Sequence, residues 1–184
     1  MFGLTNSDPS AVHPALLNSL YLNACSIITS SLGPSSPNPC ILACERHFLN
    51  QTQHHLQQSL AFVDRLKDFL WGSFFLSAYF ARASRIVECF ATLSSCVRFA
   101  VACGLHRAPQ EGSILGDGAG LRLRALPDEQ ASGGVGRVPE LLPAAPDAAE
   151  CADRSLLWNA MYLADRAFTR ASGHPSSIPK EVCT

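Results

Sequence analysis

The stretch that decides the fold is "SRIVECFATLSSCVRFAVACGLHR", Ser84 to Arg107. Its apolar side chains recur at intervals of three and four residues, which is the period of one buried face of an α-helix. This face holds Ile86, Cys89, Phe90, Leu93, Cys96, Val97, Ala100 and Cys103. We therefore predict an amphipathic helix that begins with Ser84 as its N-cap and has Glu88 near its first turn.

The end of this helix is predicted from four consecutive residues. Gly104 suits the left-handed position just past a helix, and Leu105 supplies the apolar contact of a Schellman motif by folding back on Phe99 or Ala100. His106 and Arg107 follow directly, and their basic side chains suit the negative end of the helix dipole.

A second informative stretch lies near the end of the chain, "LLWNAMYLADRAFTRASGHPSSIP", Leu156 to Pro179. Leu157, Met161, Asp165 and Phe168 are spaced by four, four and three residues, so Asp165 falls on the apolar face. A buried carboxylate needs a cation or backbone donors to offset its desolvation. We expect Asp165 to meet Arg107 or His106 at the end of the preceding helix.

The same stretch carries the signals for its own helix ends. We predict Asp153 as the N-cap, Gly173 as the residue that ends the helix, and Pro175 as a block to its continuation. Arg166 points about 100° away from its neighbour round the helix, so the two charges do not form a catalytic dyad. The stretch is interpreted as a structural joint.

Three more helices are predicted before these two. The first begins near Pro14, and its apolar stripe comprises Leu16, Leu17, Leu20, Tyr21, Ala24, Ile27 and Ile28. The second runs from about residue 41 to 59 and the third from about 60 to 83. The third is apolar nearly all round between Phe69 and Phe80, as a central helix is, and Gly72 within it indicates close packing. No strand-like alternation occurs, so the predicted fold class is all-α, an irregular multi-helix bundle.

Composition divides the chain into three parts. Residues 1–110 form the N-terminal helical part, and residues 153–184 continue the same domain, which we expect to be incomplete at its C-terminus. Residues 111–152 are rich in Gly, Ala and Pro and lack a sustained period, which predicts a long, flexible, disordered insertion.

Charge and hydropathy exclude several classes of function. The 184 residues carry a formal net charge of −1. Nucleic-acid binding usually needs a basic face, and this net charge does not predict one. No basic segment precedes an apolar stretch at the N-terminus, so no secretory signal is expected. The most apolar run, Phe69 to Ala81, is too short for a membrane span.

The eight cysteines do not predict a metal site or disulfides. No Cys-x-x-Cys occurs, and Cys89, Cys96 and Cys103 recur every seven residues as small core residues would. Cys40, Cys44 and His47 share one helical face, but zinc there would need further ligands; we favour a packed Cys44 beside solvated histidines. No nucleophile elbow is present. We therefore expect no catalytic residue, no metal and no cofactor in this chain.

Three segments together resemble one family. The segments are "HPALLNSLYLNAC" (13–25), "FARASRIVECFATLSSCVRFAVACGLHR" (80–107) and "RSLLWNAMYLADRAFTRASGHPSSIP" (154–179). They look like the middle homology region of fungal zinc-cluster transcription factors, the fungal-specific transcription factor domain. The resembling motif positions are Gly104, Leu105, His106, Arg107, Leu157, Trp158, Asp165, Arg166, Gly173 and Pro175.

The resemblance implies a fragment of an all-α regulatory domain of a nuclear transcription factor. The resemblance implies that zinc binding and DNA contact belong to a separate N-terminal binuclear zinc cluster with six cysteines. No stretch of this sequence has the cysteine pattern of that cluster. A regulatory protein or a small-molecule effector is the implied partner, and no membrane is. A second copy of the chain is a further expected partner, because the last helix would expose an outer face that later helices normally cover. The alternative is a helical small-molecule-binding or scaffold domain unrelated to DNA, with Phe69–Phe80, Trp158 and Tyr162 lining a pocket.

Overall fold

A computed structural model describes residues 12–32, 38–62, 65–107, 141–142, 145 and 147–178 of the protein. Within these ranges the regular elements are all helical, which confirms the predicted all-α class. They are α1 (Pro14–Leu32), α2 (Pro39–Phe62), α3 (Leu66–Arg82), α4 (Ile86–Ala102), a short 3-10 helix (Leu105–Arg107) and α5 (Ala148–Ser172). None of the described helices is both long enough and apolar enough to cross a membrane.

Helix α3 is the centre of the bundle, as its apolar composition predicts. It contacts each of the other four α-helices. On one side it packs against α4 and α5, around a core of Leu70, Leu93, Cys96, Val97, Ala100, Leu105, Leu157, Met161 and Ile178. On the other side it meets α1 and α2, around Ala15, Leu22, Leu56, Leu76, Tyr79, Phe80 and Cys89. One helix therefore joins both halves of the core.

Gly72 is a point of close approach between α3 and its neighbours. A Cβ atom at this position would lie 3.2 Å from Leu56 Cδ2 and 3.4 Å from the backbone carbonyl of Ala15. The missing side chain lets α1 and α2 pack directly on the α3 backbone. This packing offsets the low helix propensity of glycine, which costs about 1 kcal/mol relative to alanine. The expected close packing at Gly72 is confirmed.

Helix α1 begins at Pro14 as predicted but is rotated relative to the predicted buried face. Apart from the fully buried Leu22, the buried face is small or polar, and comprises Ala15, Ser19, Asn23 and Ser26. Asn23 Nδ2 donates to the Phe75 carbonyl at 3.0 Å, which fixes α1 against α3. Most of the predicted stripe lies outside instead: Leu17, Leu20, Tyr21, Ala24, Ile27 and Ile28 are exposed.

Three predicted helix boundaries are wrong. Residues 60–62 belong to α2, and α3 begins only after Arg65, whose φ of 46° breaks the helical path. Ser84 is not an N-cap, because its φ of 57° places it in the turn before α4. Arg85 takes the cap position, makes no side-chain cap bond, and pairs with Glu88 at 2.9 Å.

Helix α5 begins six residues earlier than its predicted start. Asp147 caps it, since its Oδ1 accepts a hydrogen bond from the Glu150 backbone N–H at 2.7 Å. Asp153 therefore lies inside the helix and is not its N-cap. Residues 148–152, which were predicted to belong to the insertion at 111–152, are also part of α5. Most of that insertion and residues 179–184 lie outside the described residues.

An ion-pair cluster fastens the start of α5 to α3. Lys67 Nζ lies 2.5 Å from Glu150 Oε2 and 2.8 Å from Asp153 Oδ2, and Arg154 Nε lies 2.9 Å from Glu150 Oε1. Burial alone would raise the pKa of Glu150, but the hydrogen bonds from Lys67 and Arg154 outweigh it and lower that pKa. The cluster therefore favours the ionised carboxylate.

Candidate functional site at the joint between α4 and α5

The end of α4 has the geometry that its sequence predicts. Gly104 has a φ of 80°, and its N–H donates to the Val101 carbonyl at 3.0 Å, one of the bonds that close the helix end. Leu105 is buried in the same core cluster as Ala100, with Phe99 packed against it. The helix end thus carries an apolar anchor toward α5.

Helix α5 meets this end with the face that carries Leu157. Leu157 and Met161 are fully buried in the cluster that contains Leu105. The His106 ring lies 5.9 Å from the Trp158 ring, centroid to centroid. The two sequence blocks, about fifty residues apart in the chain, therefore pack directly against each other.

Asp165 is buried, as its spacing predicts, and accepts two short hydrogen bonds. It is 3% exposed, so its carboxylate is removed from water. Ser176 Oγ donates to Oδ2 at 2.6 Å, and the Ser177 backbone N–H donates to Oδ1 at 2.9 Å. The expected backbone donor is present, and it comes from the segment that follows α5.

The tie from Asp165 to α4 runs through a serine. The hydroxyls of Ser177 and Ser94 share a hydrogen bond of 2.7 Å, and Ser94 lies in the middle of α4. Ser176 and Ser177 are therefore the described partners of Asp165, and His106 lies against Trp158 instead; the predicted contact with Arg107 stays a prediction. The Arg107 side chain lies outside the described residues.

The turn after α5 explains why these serines reach the carboxylate. Gly173 has a φ of 72°, and its N–H donates to the Thr169 carbonyl at 3.0 Å, so the helix ends where predicted. Pro175 follows in non-helical, exposed backbone. The chain then folds back along α5 and places Ile178 in the core.

Aromatic and cationic contacts surround this turn. Phe90 of α4 stacks on Phe168 of α5 at 5.6 Å, and the His174 ring lies 4.8 Å from Phe90. Arg166 lies over the Tyr162 ring at 5.1 Å. Arg166 thus stacks along its own helix while Asp165 faces the core, so the two residues do not work as one pair.

The buried thiols are unsuited to nucleophilic chemistry. Burial raises the pKa of Cys96 to about 12 and that of Cys103 to about 11, so both stay protonated at neutral pH. Cys96 Sγ donates to the Leu70 carbonyl at 3.5 Å. The predicted role of the Cys89, Cys96 and Cys103 side chains as core residues is confirmed, since all three are buried.

The weak zinc candidate does not assemble. Cys40, Cys44 and His47 are exposed, so the expectation of a packed Cys44 is wrong. The described ranges contain no group of three or more His, Cys, Asp or Glu side chains with metal-binding geometry.

Sequence reasoning missed the serines that complete the joint. Ser94, Ser176 and Ser177 carry no motif of their own. The available signal was physical: a carboxylate on an apolar face needs donors, and residues that follow a glycine helix stop fold back within reach of the last turns.

Comparison of the chain with protein-family models, with curated proteins and with solved structures gave no match.

Proposed function

We propose that the chain is part of the regulatory domain of a fungal zinc-cluster transcription factor, acting in the nucleus on DNA-templated transcription. Its role is to gate activation through contacts with a regulatory protein or a small-molecule effector. DNA would be contacted only by a separate zinc-cluster module.

The observation that supports this proposal is the convergence of the two motif blocks. Leu105 and Leu157 share one core cluster, and the His106 and Trp158 rings are neighbours. Motif residues that are far apart in sequence but form one joint belong to one domain, as the resemblance implies. The buried carboxylate of Asp165 braces this joint.

The proposal includes no catalytic residue, no metal and no cofactor in this chain. Among the motif residues, Leu105 and Leu157 pack the joint, and Gly104 and Gly173 end helices. The thiols of Cys96 and Cys103, whose pKa values burial raises, supply no nucleophile at neutral pH.

The proposal is tested first by genomic sequence and then by a reporter. A cluster of six cysteines that includes Cys-x-x-Cys pairs, encoded in frame upstream of Met1, is the expected finding, and a long open frame without one contradicts the proposal. In the reporter, the chain is fused to an unrelated DNA-binding domain that carries a constitutive activation segment. We expect reporter output to change at least about threefold relative to an unrelated helical fusion of equal length.

A matched pair of variants makes the reporter test specific. Leu157→Asp breaks the joint, and Leu163→Asp alters a leucine of the same helix that is 66% exposed. Only the first should abolish the effect of the fusion. Equal output from the parent, both variants and the unrelated helical fusion would count against a regulatory role.

The isolated chain should not bind duplex DNA tightly. Its net charge of −1 offers no basic face to release counterions from phosphates. A fluorescence-anisotropy titration with a mixed-sequence duplex at low salt measures this, and tight, salt-sensitive binding would contradict the assignment.

The alternative proposal is a helical ligand-binding or scaffold domain unrelated to DNA. One observation favours it: Tyr162, Arg166 and Arg170 line a groove of about 590 Å³ on the outer side of α5. Trp158 packs against His106 instead. A thermal-shift screen with anionic aromatic compounds distinguishes the readings, because stabilisation lost in Arg170→Ala would favour this alternative.

A further inference from the structure

The outer face of α1 carries a continuous apolar stripe that the described part of the chain leaves uncovered. Its larger members are exposed by 38% (Leu17), 41% (Leu20), 48% (Tyr21), 53% (Ile27) and 48% (Ile28), and the exposed Ala24 lies among them. These six residues are called the Tyr21 face. They recur at the spacing of a helix–helix seam, so the stripe is a packing surface rather than scattered exposed residues.

The charge of α1 restricts what can cover this face. None of the nineteen residues from Pro14 to Leu32 is Asp, Glu, Lys, Arg or His. A charged partner would be desolvated there without any compensating ion pair. The suitable occupant is another uncharged apolar helix face, and a second copy of α1 is one.

The shape of the face fits itself in an antiparallel arrangement. Ala24 is a small residue between larger neighbours, and the Tyr21 ring, which is 48% exposed, lies 5.2 Å from the Phe48 ring of α2, centroid to centroid. A twofold axis midway between these positions sets Tyr21 against Ala24 of the partner subunit and Leu17 against Ile28 of the partner subunit. Parallel pairing would instead set the two Ala24 residues against each other and leave a void.

The area of the face sets the strength of the pairing. Large apolar side chains present on the order of 200 Å² when fully exposed. The exposed fractions of the five larger residues therefore amount to roughly 450 Å² per copy, or about 900 Å² for two copies. Stable interfaces start at about 1,200 Å², so a weak, concentration-dependent dimer is the expected result.

We propose that the Tyr21 face is the docking surface for a second copy of this chain, which pairs α1 with α1 antiparallel in a weak symmetric homodimer. This inference is independent of the proposed role in transcription. It assigns self-association to α1 rather than to the outer face of α5.

Sedimentation velocity of the full chain tests the proposal, in reducing buffer because Cys25 lies on the same helix. The sedimentation coefficient should rise from the monomer toward the dimer value between about 10 and 300 µM, as an interface of this size predicts. A pure monomer throughout that range overturns the proposal.

Two charge variants test the surface and its register. Leu17→Lys and Ile28→Glu should each weaken dimerisation by a factor of at least about 30, because each homodimer would bury two unpaired charges. Mixing the two variants should restore association to within about threefold of the parent, since the heterodimer holds one opposite-charge pair and one unchanged apolar pair. No recovery on mixing overturns the antiparallel register.

Controls separate this surface from loss of folding and from α5. Circular dichroism should show the same helix content in both variants as in the parent, since the substituted side chains are partly exposed. If either variant fails to fold, Ile27→Gln is used in its place. Leu163→Glu changes an exposed leucine of α5 and should dimerise like the parent. If Leu163→Glu abolishes the dimer while Leu17→Lys does not, the assignment to α1 is overturned.

Discussion

Replacing Asp165 by leucine should destabilise the protein severely, whereas replacing it by asparagine should be mild. The carboxylate is 3% exposed and accepts from Ser176 Oγ at 2.6 Å and from the Ser177 N–H at 2.9 Å. Leucine has a similar size but no acceptor. Asparagine keeps a carbonyl oxygen that accepts from the Ser177 N–H, and its amide N–H can donate to Ser176 Oγ.

The geometry gives the size of both effects. With leucine, the Ser177 N–H loses its acceptor in a buried site and Ser176 loses a short bond to a carboxylate, which together cost about 3 to 5 kcal/mol. With asparagine, both contacts persist in neutral form, at a cost of about 1 kcal/mol. Domain stabilities are about 5 to 15 kcal/mol, so the leucine variant should lose a large share of the total.

Urea denaturation followed by circular dichroism measures this difference. The midpoint should fall far more for Asp165→Leu than for Asp165→Asn, with the slope unchanged if the denatured state is unaffected. Ser177→Ala keeps the backbone donor and removes only the link to Ser94, so it should cost about 1 kcal/mol. If the leucine and asparagine variants unfold at the same midpoint, Asp165 is not a hydrogen-bonded brace.

Three further changes have expected outcomes. Gly72→Val should lower the free energy of unfolding by at least about 2 kcal/mol in urea denaturation, because even a Cβ there would lie 3.2 Å from a leucine side chain. Gly72→Ala should stay within about 1 kcal/mol of the parent. Equal losses of stability in the two variants would contradict the close approach. Glu150→Gln should destabilise at pH 7, because burial, which raises the pKa of Glu150, is outweighed by the hydrogen bonds from Lys67 and Arg154, which lower it. The difference in stability between the parent and Glu150→Gln should shrink as the pH falls below the ordinary pKa of 4.5 and then through the lowered pKa, because the parent carboxylate protonates there. A difference that does not depend on pH would contradict this expectation. Maleimide labelling mapped by mass spectrometry should modify exposed Cys40 in the native chain and buried Cys96 only after urea unfolding; equal native labelling of both would refute the burial of Cys96.

The joint between α4 and α5 could be predicted in part because local rules determine its elements. Gly104 and Gly173 both adopt positive φ values, as helix-ending glycines do. The spacing of apolar residues also placed Asp165 inside. The partners of Asp165 were missed because a hydrogen-bond donor is specified by where the chain returns, and no periodicity describes the path after a helix stop. Ser177 therefore became visible as a partner only in three dimensions.

Helix α1 shows why a correct helix can be assigned the wrong buried face. Apolar periodicity identifies a stripe that some surface must cover, but it does not say whether that surface belongs to the same chain. In α1 the small side chains of Ala15 and Ser19 are buried in the bundle, and the bare backbone of Gly72 allows close approach at Ala15. Bulky residues would not fit at that contact, so the larger apolar side chains lie outside. The error in the predicted face and the uncovered stripe therefore have one cause, and the proposed homodimer through α1 would give that stripe its partner.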